Sequence, residues 1–125
     1  MWILSSEGGF LKGRSIWLCP GKKYLFGRVS TEGSPPRNYG VDHKSISRKH
    51  LVISVAPVKP GDGLHIHSRS QLTIEDQGSK LGTKLDGQVV KAATRTLDSD
   101  QHVIKLGNYE HVLRYGRTLD AAESC

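Results

Sequence analysis

Residues 102–115 read His102-Val103-Ile104-Lys105-Leu106-Gly107-Asn108-Tyr109-Glu110-His111-Val112-Leu113-Arg114-Tyr115. Apolar and polar residues alternate on both sides of Gly107-Asn108. A strand points its side chains to opposite faces in turn, so alternation marks a half-buried strand, and Gly-Asn is turn chemistry. The same kind of run recurs along the chain at Trp2-Ile3-Leu4, Ile16-Trp17-Leu18, Tyr24-Leu25-Phe26, Leu51 to Val55, Leu72 to Glu75 and Gln88-Val89-Val90. Turn residues separate these runs at Pro20-Gly21, Gly78 and Asp86-Gly87. Asp86-Gly87 between two β-like runs is a short-hairpin signal. Fourteen glycines and no sustained 3.6-residue period argue against helices. The pattern predicts an all-β sandwich or small barrel.

A chain of 125 residues fits one domain. At this length folding buries roughly two-thirds of the unfolded surface, so a core forms without staples. Cys19 and Cys125 do not make a disulfide framework and cannot fill a four-cysteine zinc site. The hydrophobic share of 36% is low for a globular domain, which points to a polar, loop-rich fold. Two stretches read as surface loops. Ser30 to Tyr39 holds Ser34-Pro35-Pro36. Ala56 to Gln71 holds Pro57, Pro60 and Gly61-Asp62-Gly63, with room for a minor strand at Leu64 to Ile66. The start Met1-Trp2-Ile3-Leu4-Ser5-Ser6-Glu7 has no basic leader and only a short apolar run. It is therefore not read as a signal peptide, and a soluble, reducing, intracellular setting is expected.

Charge is uneven. The chain carries 18 Lys and Arg against 12 Asp and Glu, a net +6. Residues 11–50 hold nine bases and two acids, while residues 51–125 hold nine of each. The basic block is either a face for an anionic partner, such as phosphate, nucleic acid or acidic peptide, or a solvated surface.

Several chemistries are set aside. His65-Ile66-His67 puts two imidazoles on one face of a strand, but only Asp62 stands near to add a ligand, so no metal site is assigned. Gly82-Thr83-Lys84 has the wrong order for a phosphate-cradling P-loop. Ser47 and His50 lack an identifiable orienting acid and oxyanion donors, so catalysis is not favoured and no enzyme is expected.

Three small motifs remain, in order, each at a strand end or in a loop. Gly27-Arg28 follows Tyr24 to Phe26. Ser45-Ile46-Ser47-Arg48-Lys49-His50 precedes Leu51 to Val55. Ser79-Lys80-Leu81-Gly82-Thr83 leads to Lys84-Leu85-Asp86-Gly87. In this order and β context the sequence resembles the forkhead-associated (FHA) domain, over about residues 2 to 115. The resemblance implies an FHA-type β-sandwich of about eleven strands with binding loops at one end. It also implies binding of phosphothreonine peptides, and no enzyme activity or cofactor. The resemblance assigns residues 1–116 to the domain and 117–125 to a tail that begins a linker toward absent BRCT domains.

The residues suit that role on physical grounds. A phosphothreonine carries close to two negative charges and three acceptor oxygens. Arg28 offers a planar fork, Ser47 a short hydroxyl and Lys80 a compact charge. By resemblance Arg48 grips the peptide backbone or an acidic neighbour, and His50 braces the loops without touching phosphate. Gly27, Gly82 and Thr83 are read as support for the site. Ser47 taken alone is an ordinary turn serine, and Lys80 an ordinary solvated lysine. Trp2 and Trp17 are read as packing residues, and Asp86 as a turn residue. Leu81 stands where most family members have asparagine, so the usual rules for reading the peptide downstream do not carry over.

Within the family the likeness is to a DNA-repair branch. This implies a nuclear location and recruitment of phosphothreonine-containing acidic segments (phosphothreonine followed by aspartate) at double-strand breaks. It also implies a complex with the Mre nuclease and the Rad ATPase through regions outside this chain. Two alternatives stay open. The block 11–50 could bind nucleic acid directly, although it has few interleaved aromatics and no nucleic-acid motif. A phosphate-independent interaction domain with a vestigial pocket is the third reading. Neither nucleic acid as the main ligand nor a membrane is expected.

Overall fold

The computed structural model describes residues 2–6, 10–11, 13–28, 38–41, 43–56, 71–97 and 99–115. Their secondary structure is eleven strands: β1 (Trp2–Ser5), β2 (Ser15–Leu18), β3 (Lys23–Gly27), β4 (Asn38–Gly40), β5 (Leu51–Val55), β6 (Leu72–Asp76), β7 (Thr83–Leu85), β8 (Gln88–Val90), β9 (Thr94–Leu97), β10 (Gln101–Leu106) and β11 (Tyr109–Tyr115). They form two sheets. One runs β2-β1-β11-β10-β7-β8 and the other β4-β3-β5-β6-β9. Only the β3–β4 pair is parallel among the registers described. The all-β sandwich read from the alternation is what the chain forms, and no helix in it is long and apolar enough to cross a membrane.

Alternation decides the core. In β5, Leu51, Ile53 and Val55 are buried while Val52 and Ser54 are partly covered. β6 buries Leu72, Ile74 and Asp76 by the same rule, and β10 buries His102, Ile104 and Leu106. Trp2 is fully buried and meets the Tyr115 ring edge-on at 5.3 Å. Phe26 stacks on Tyr39 and meets Phe10 edge-on. These inward rows join the sheets into one apolar cluster.

Three strands were not read from the sequence. β4 has three residues, at the end of the stretch read as a loop, and lies along the edge of β3. β7 also has three residues, inside a motif read as a turn. β9 (Thr94-Arg95-Thr96-Leu97) buries only Leu97, so it carries no apolar alternation and is held by pairing to β6. The Asp86-Gly87 turn is a two-residue hairpin with φ of 51° and 85°, and Leu85 pairs with Gln88. Positive φ at both central residues is the turn type whose twist matches the strands. Cys19, just after β2, is disulfide-bonded, which the cysteine count did not suggest. Its partner lies outside the described residues. So do His65-Ile66-His67, the expected minor strand at Leu64 to Ile66, and the boundary expected between residues 116 and 117.

Candidate functional site

Strand ends bring the three motifs to one end of the sandwich. β3 ends at Gly27, and the backbone N–H of Arg28 donates to Ser47 O at 2.9 Å. A Cβ placed on Gly27 would lie 1.8 Å from Arg48 O, so only glycine lets the end of β3 lie against the Ser47–His50 turn. The N–H of His50 donates to Phe26 O at 2.9 Å, which ties the other side of that turn to β3. From below, the β10–β11 turn closes in. A Cβ on Gly107 would meet Ser45 Oγ at 2.4 Å and Ile46 Cδ1 at 2.8 Å.

His50 is fully buried and joins two loops. Its Nδ1 accepts from the Ser47 N–H at 3.2 Å, and its Nε2 lies 3.1 Å from Gly82 O. Gly82 O can only accept, so Nε2 carries the proton and the ring is the neutral Nε2–H tautomer. Burial holds the imidazole pKa below its ordinary value, against opposing pulls from Gly82 and Asp76. The ring touches the Ser47 backbone, not its hydroxyl, so the two are not arranged as nucleophile and base. The Ser47 Oγ instead accepts from the Lys80 N–H at 2.9 Å. Its own hydrogen is left to donate outward.

The loop 78–83 is built around a residue the motif reading missed. Asp76 ends β6 and is only 2% exposed. Its Oδ1 accepts from the N–H groups of Gly78, Ser79 and Ala92, and its Oδ2 from the hydroxyls of Ser79 and Thr83. Burial pushes this carboxyl pKa up, but those hydrogen bonds outweigh it and hold the pKa below its ordinary value. Ala92 takes a φ of 49° to reach Asp76. The signal was available: Asp76 falls on the inward position of an alternating strand, where an acid must be satisfied internally.

Arg28 is half-buried, and Arg48, Lys49 and Lys80 are exposed. Among the described residues, no hydrogen bond or ion pair engages the side chains of Arg28, Arg48 or Lys80. The Lys91 ammonium donates to Lys80 O at 3.1 Å, which adds another cation to the same rim. One end of the molecule therefore presents a half-buried guanidinium, an aimed hydroxyl and several ammonium groups, with no carboxylate paired to them among the described residues. This arrangement suits a compact, multiply charged anion. Gly27, Gly82 and Thr83 are buried in the support beneath it.

A second polar cluster sits in the six-stranded sheet, where the β7–β8 turn meets the start of β10. His102 Nδ1 lies 2.6 Å from Asp86 Oδ2, and its Nε2 lies 3.1 Å from both Ser99 Oγ and Ser99 O. Asp86 also exchanges backbone contacts with Val103, through its N–H and its Oδ1. The Ser99 carbonyl on Nε2 and the Val103 amide on the carboxylate make this a clasp for the β7–β8 turn. Among the described residues, no group of three metal-ligating side chains is present.

Comparison with known proteins gives concordant results. The family model described as "FHA domain" matches residues 24–107. The "DNA repair and telomere maintenance protein nbs1" of Schizosaccharomyces pombe is 33% identical over 90 residues, which is 72% of this chain and 14% of that protein. The structure of the S. pombe Nbs1-Ctp1 complex superposes with a TM-score of 0.76 at 27% identity, covering 94% of this chain and 37% of that one. The MEK1 FHA domain, in complex with a HOP1 phosphothreonine peptide, shares the fold with a TM-score of 0.67 at 20% identity, over 93% of this chain and 97% of that one.

Proposed function

The chain belongs to the FHA domain family, and on that premise we propose that it is a phosphothreonine-peptide-binding module. The observation that carries this reading is the convergence of three loops on Ser47. Arg28 donates its backbone to Ser47 O, Lys80 donates its backbone to Ser47 Oγ, and both side chains are unengaged. Arg28 takes two phosphate oxygens through its fork, the Ser47 hydroxyl donates to a third contact, and Lys80 supplies charge from the opposite loop. Arg48 lies next to Ser47 and engages the peptide backbone or an acidic neighbour. His50, Gly27, Gly82 and Thr83 hold these groups in register. The excess of cations at the rim favours acidic residues beside the phosphothreonine, in the pattern phosphothreonine followed by aspartate.

The wider role rests on the likeness to nbs1 and on the resemblance of Lys44 to His50 and of Ser79 to Thr83 to the FHA domain of nibrin. It is recruitment of phosphorylated repair factors at DNA double-strand breaks, in the nucleus, in a protein that also engages the Mre nuclease and the Rad ATPase. The chain spans only 14% of the length of nbs1, so this role belongs to a longer assembly than the domain itself.

Calorimetric titration with one acidic peptide in phosphothreonine, phosphoserine and unphosphorylated forms tests the reading. Binding of the phosphothreonine form alone is expected. Silence on all three, with DNA binding that falls steeply with salt, would move the function to the basic block 11–50.

A further inference from the structure

Among the described residues, the exposed large hydrophobic side chains are Leu81, at 60%, and Val89, at 59%. Single exposed apolar residues need no explanation, but these two border the same loop. A Cβ placed on Gly82 would lie 3.1 Å from Val89 Cγ1 and 3.6 Å from Lys91 Cβ. Val89 and Lys91 therefore rest against Gly82, directly beside Leu81. Buried Val90 separates them in sequence, which sets both on the outward face. The Lys91 ammonium reaches back to Lys80 O, while the Lys80 N–H holds Ser47 Oγ. One residue and two hydrogen bonds thus join this surface to the phosphate site. Across one residue of about 3.5 Å, the Lys91 ammonium and the Leu81 backbone lie within about 10 Å of Ser47 Oγ.

We propose that Leu81, Val89 and Lys91 form a ledge that selects an apolar side chain, flanked by an acidic one, within about three residues of the phosphothreonine. The proposal rests on the phosphothreonine reading and adds to it a source of specificity. An extended partner advances about 3.3 Å per residue, so a segment anchored at Ser47 passes over the ledge at that distance. Covering Leu81 and Val89 with an apolar side chain removes three apolar groups from water together. The Lys80 carbonyl takes one of three donors on Lys91 and leaves its charge uncancelled, so a carboxylate beside the apolar residue finds a partner.

The test is a phosphothreonine-aspartate peptide series with leucine, serine or lysine at each of about three positions on either side. Titrations use the wild-type chain and the variants Val89→Thr and Leu81→Ser, each checked by thermal melting. At one position, leucine should bind about tenfold tighter than serine to the wild type. That ratio should shrink to about twofold or less in both variants. The ratio is the readout, so general weakening in a variant does not imitate the effect. Lys91→Gln should lose the preference for acid beside the leucine. Equal affinity for leucine and serine at every position, or an unchanged ratio in the variants, overturns the ledge. A leucine preference that is independent of the phosphate upholds the ledge and overturns the phosphothreonine reading. No binding of any peptide overturns both.

Discussion

The backbone N–H of Lys80 donates to Ser47 Oγ at 2.9 Å, across 33 positions of sequence. One loop thereby orients a hydroxyl that belongs to another. The amide occupies an acceptor position on the oxygen and leaves the hydrogen free for a ligand. Ser47→Ala should weaken phosphopeptide binding by about tenfold or more, because it removes a donor and leaves the Lys80 amide unpaired. Arg28→Ala should cost about a hundredfold or more, and Arg28→Lys should fall between, since lysine keeps charge but not the fork. Calorimetry reads the affinities and a melting curve reports the fold. Wild-type affinity in Arg28→Ala would remove Arg28 from the site.

Asp76 carries the loop that presents Lys80. Asp76→Ala strands five donors and should destabilise the domain by about 4 kcal/mol or more. Asp76→Asn keeps acceptor capacity and lets the two hydroxyls reorient, so its loss should be smaller. The folded-state pKa of Asp76 is lowered, so the carboxylate contributes stability above its unfolded value near 4. That contribution is lost as pH falls through the lowered folded value. Urea melts across acid pH should show a loss in the wild type that Asp76→Asn lacks. Parallel curves for the two proteins would contradict the assignment.

How much was readable follows from where each signal lives. The sandwich was legible because β5, β10 and β11 alternate, and periodicity is a local property. Gly27-Arg28, Ser47 to His50 and Gly82-Thr83 stand in a recognisable order in the sequence, and the fold brings them to one end of the sandwich. Strand β9 was not legible, since its polar residues are ordered by pairing with β6, which no local pattern encodes. The contribution of Asp76 was also missed. Its inward position at the end of β6 was readable, but its contacts to Ser79, Thr83 and Ala92 exist only once β6, β7 and the turn after β8 are assembled.

His111 is a liability in the core. It is 1% exposed, lies against Phe10 and Phe26, and neither ring nitrogen has a hydrogen-bond partner among the described residues. Burial pushes its pKa down to about 4, while the backbone of Ile104 and of Tyr109, outside hydrogen-bonding geometry, pulls weakly the other way. A histidine buried neutral binds its proton more readily when unfolded. Stability is therefore full above about pH 6.5 and falls as pH drops toward about 4, by about 3 kcal/mol in all. His111→Phe should remove this slope between pH 6.5 and 4, read by denaturant titration at several pH values. An undiminished slope in that variant would place the titrating group elsewhere.

Gly27 and Gly78 separate two reasons for glycine. Gly78 has a φ of +75° and open space where a Cβ would stand. Gly78→Ala should cost about 1 kcal/mol of backbone strain and leave phosphopeptide affinity unchanged. At Gly27 the obstacle is the Arg48 carbonyl, 1.8 Å from the added carbon. That atom is backbone, so relief requires the Ser47–His50 turn to move away from β3. The movement stretches the 2.9 Å bond from the Arg28 N–H to Ser47 O, which sets the guanidinium and the hydroxyl at their mutual distance. Gly27→Ala should therefore weaken phosphopeptide binding by about tenfold or more, beyond any loss of melting temperature, because misplacement of about an ångström is enough to spoil a charge-assisted contact. Binding at wild-type strength in Gly27→Ala would mean that the turn yields without moving the site, and the close approach of β3 to Arg48 would then be packing alone.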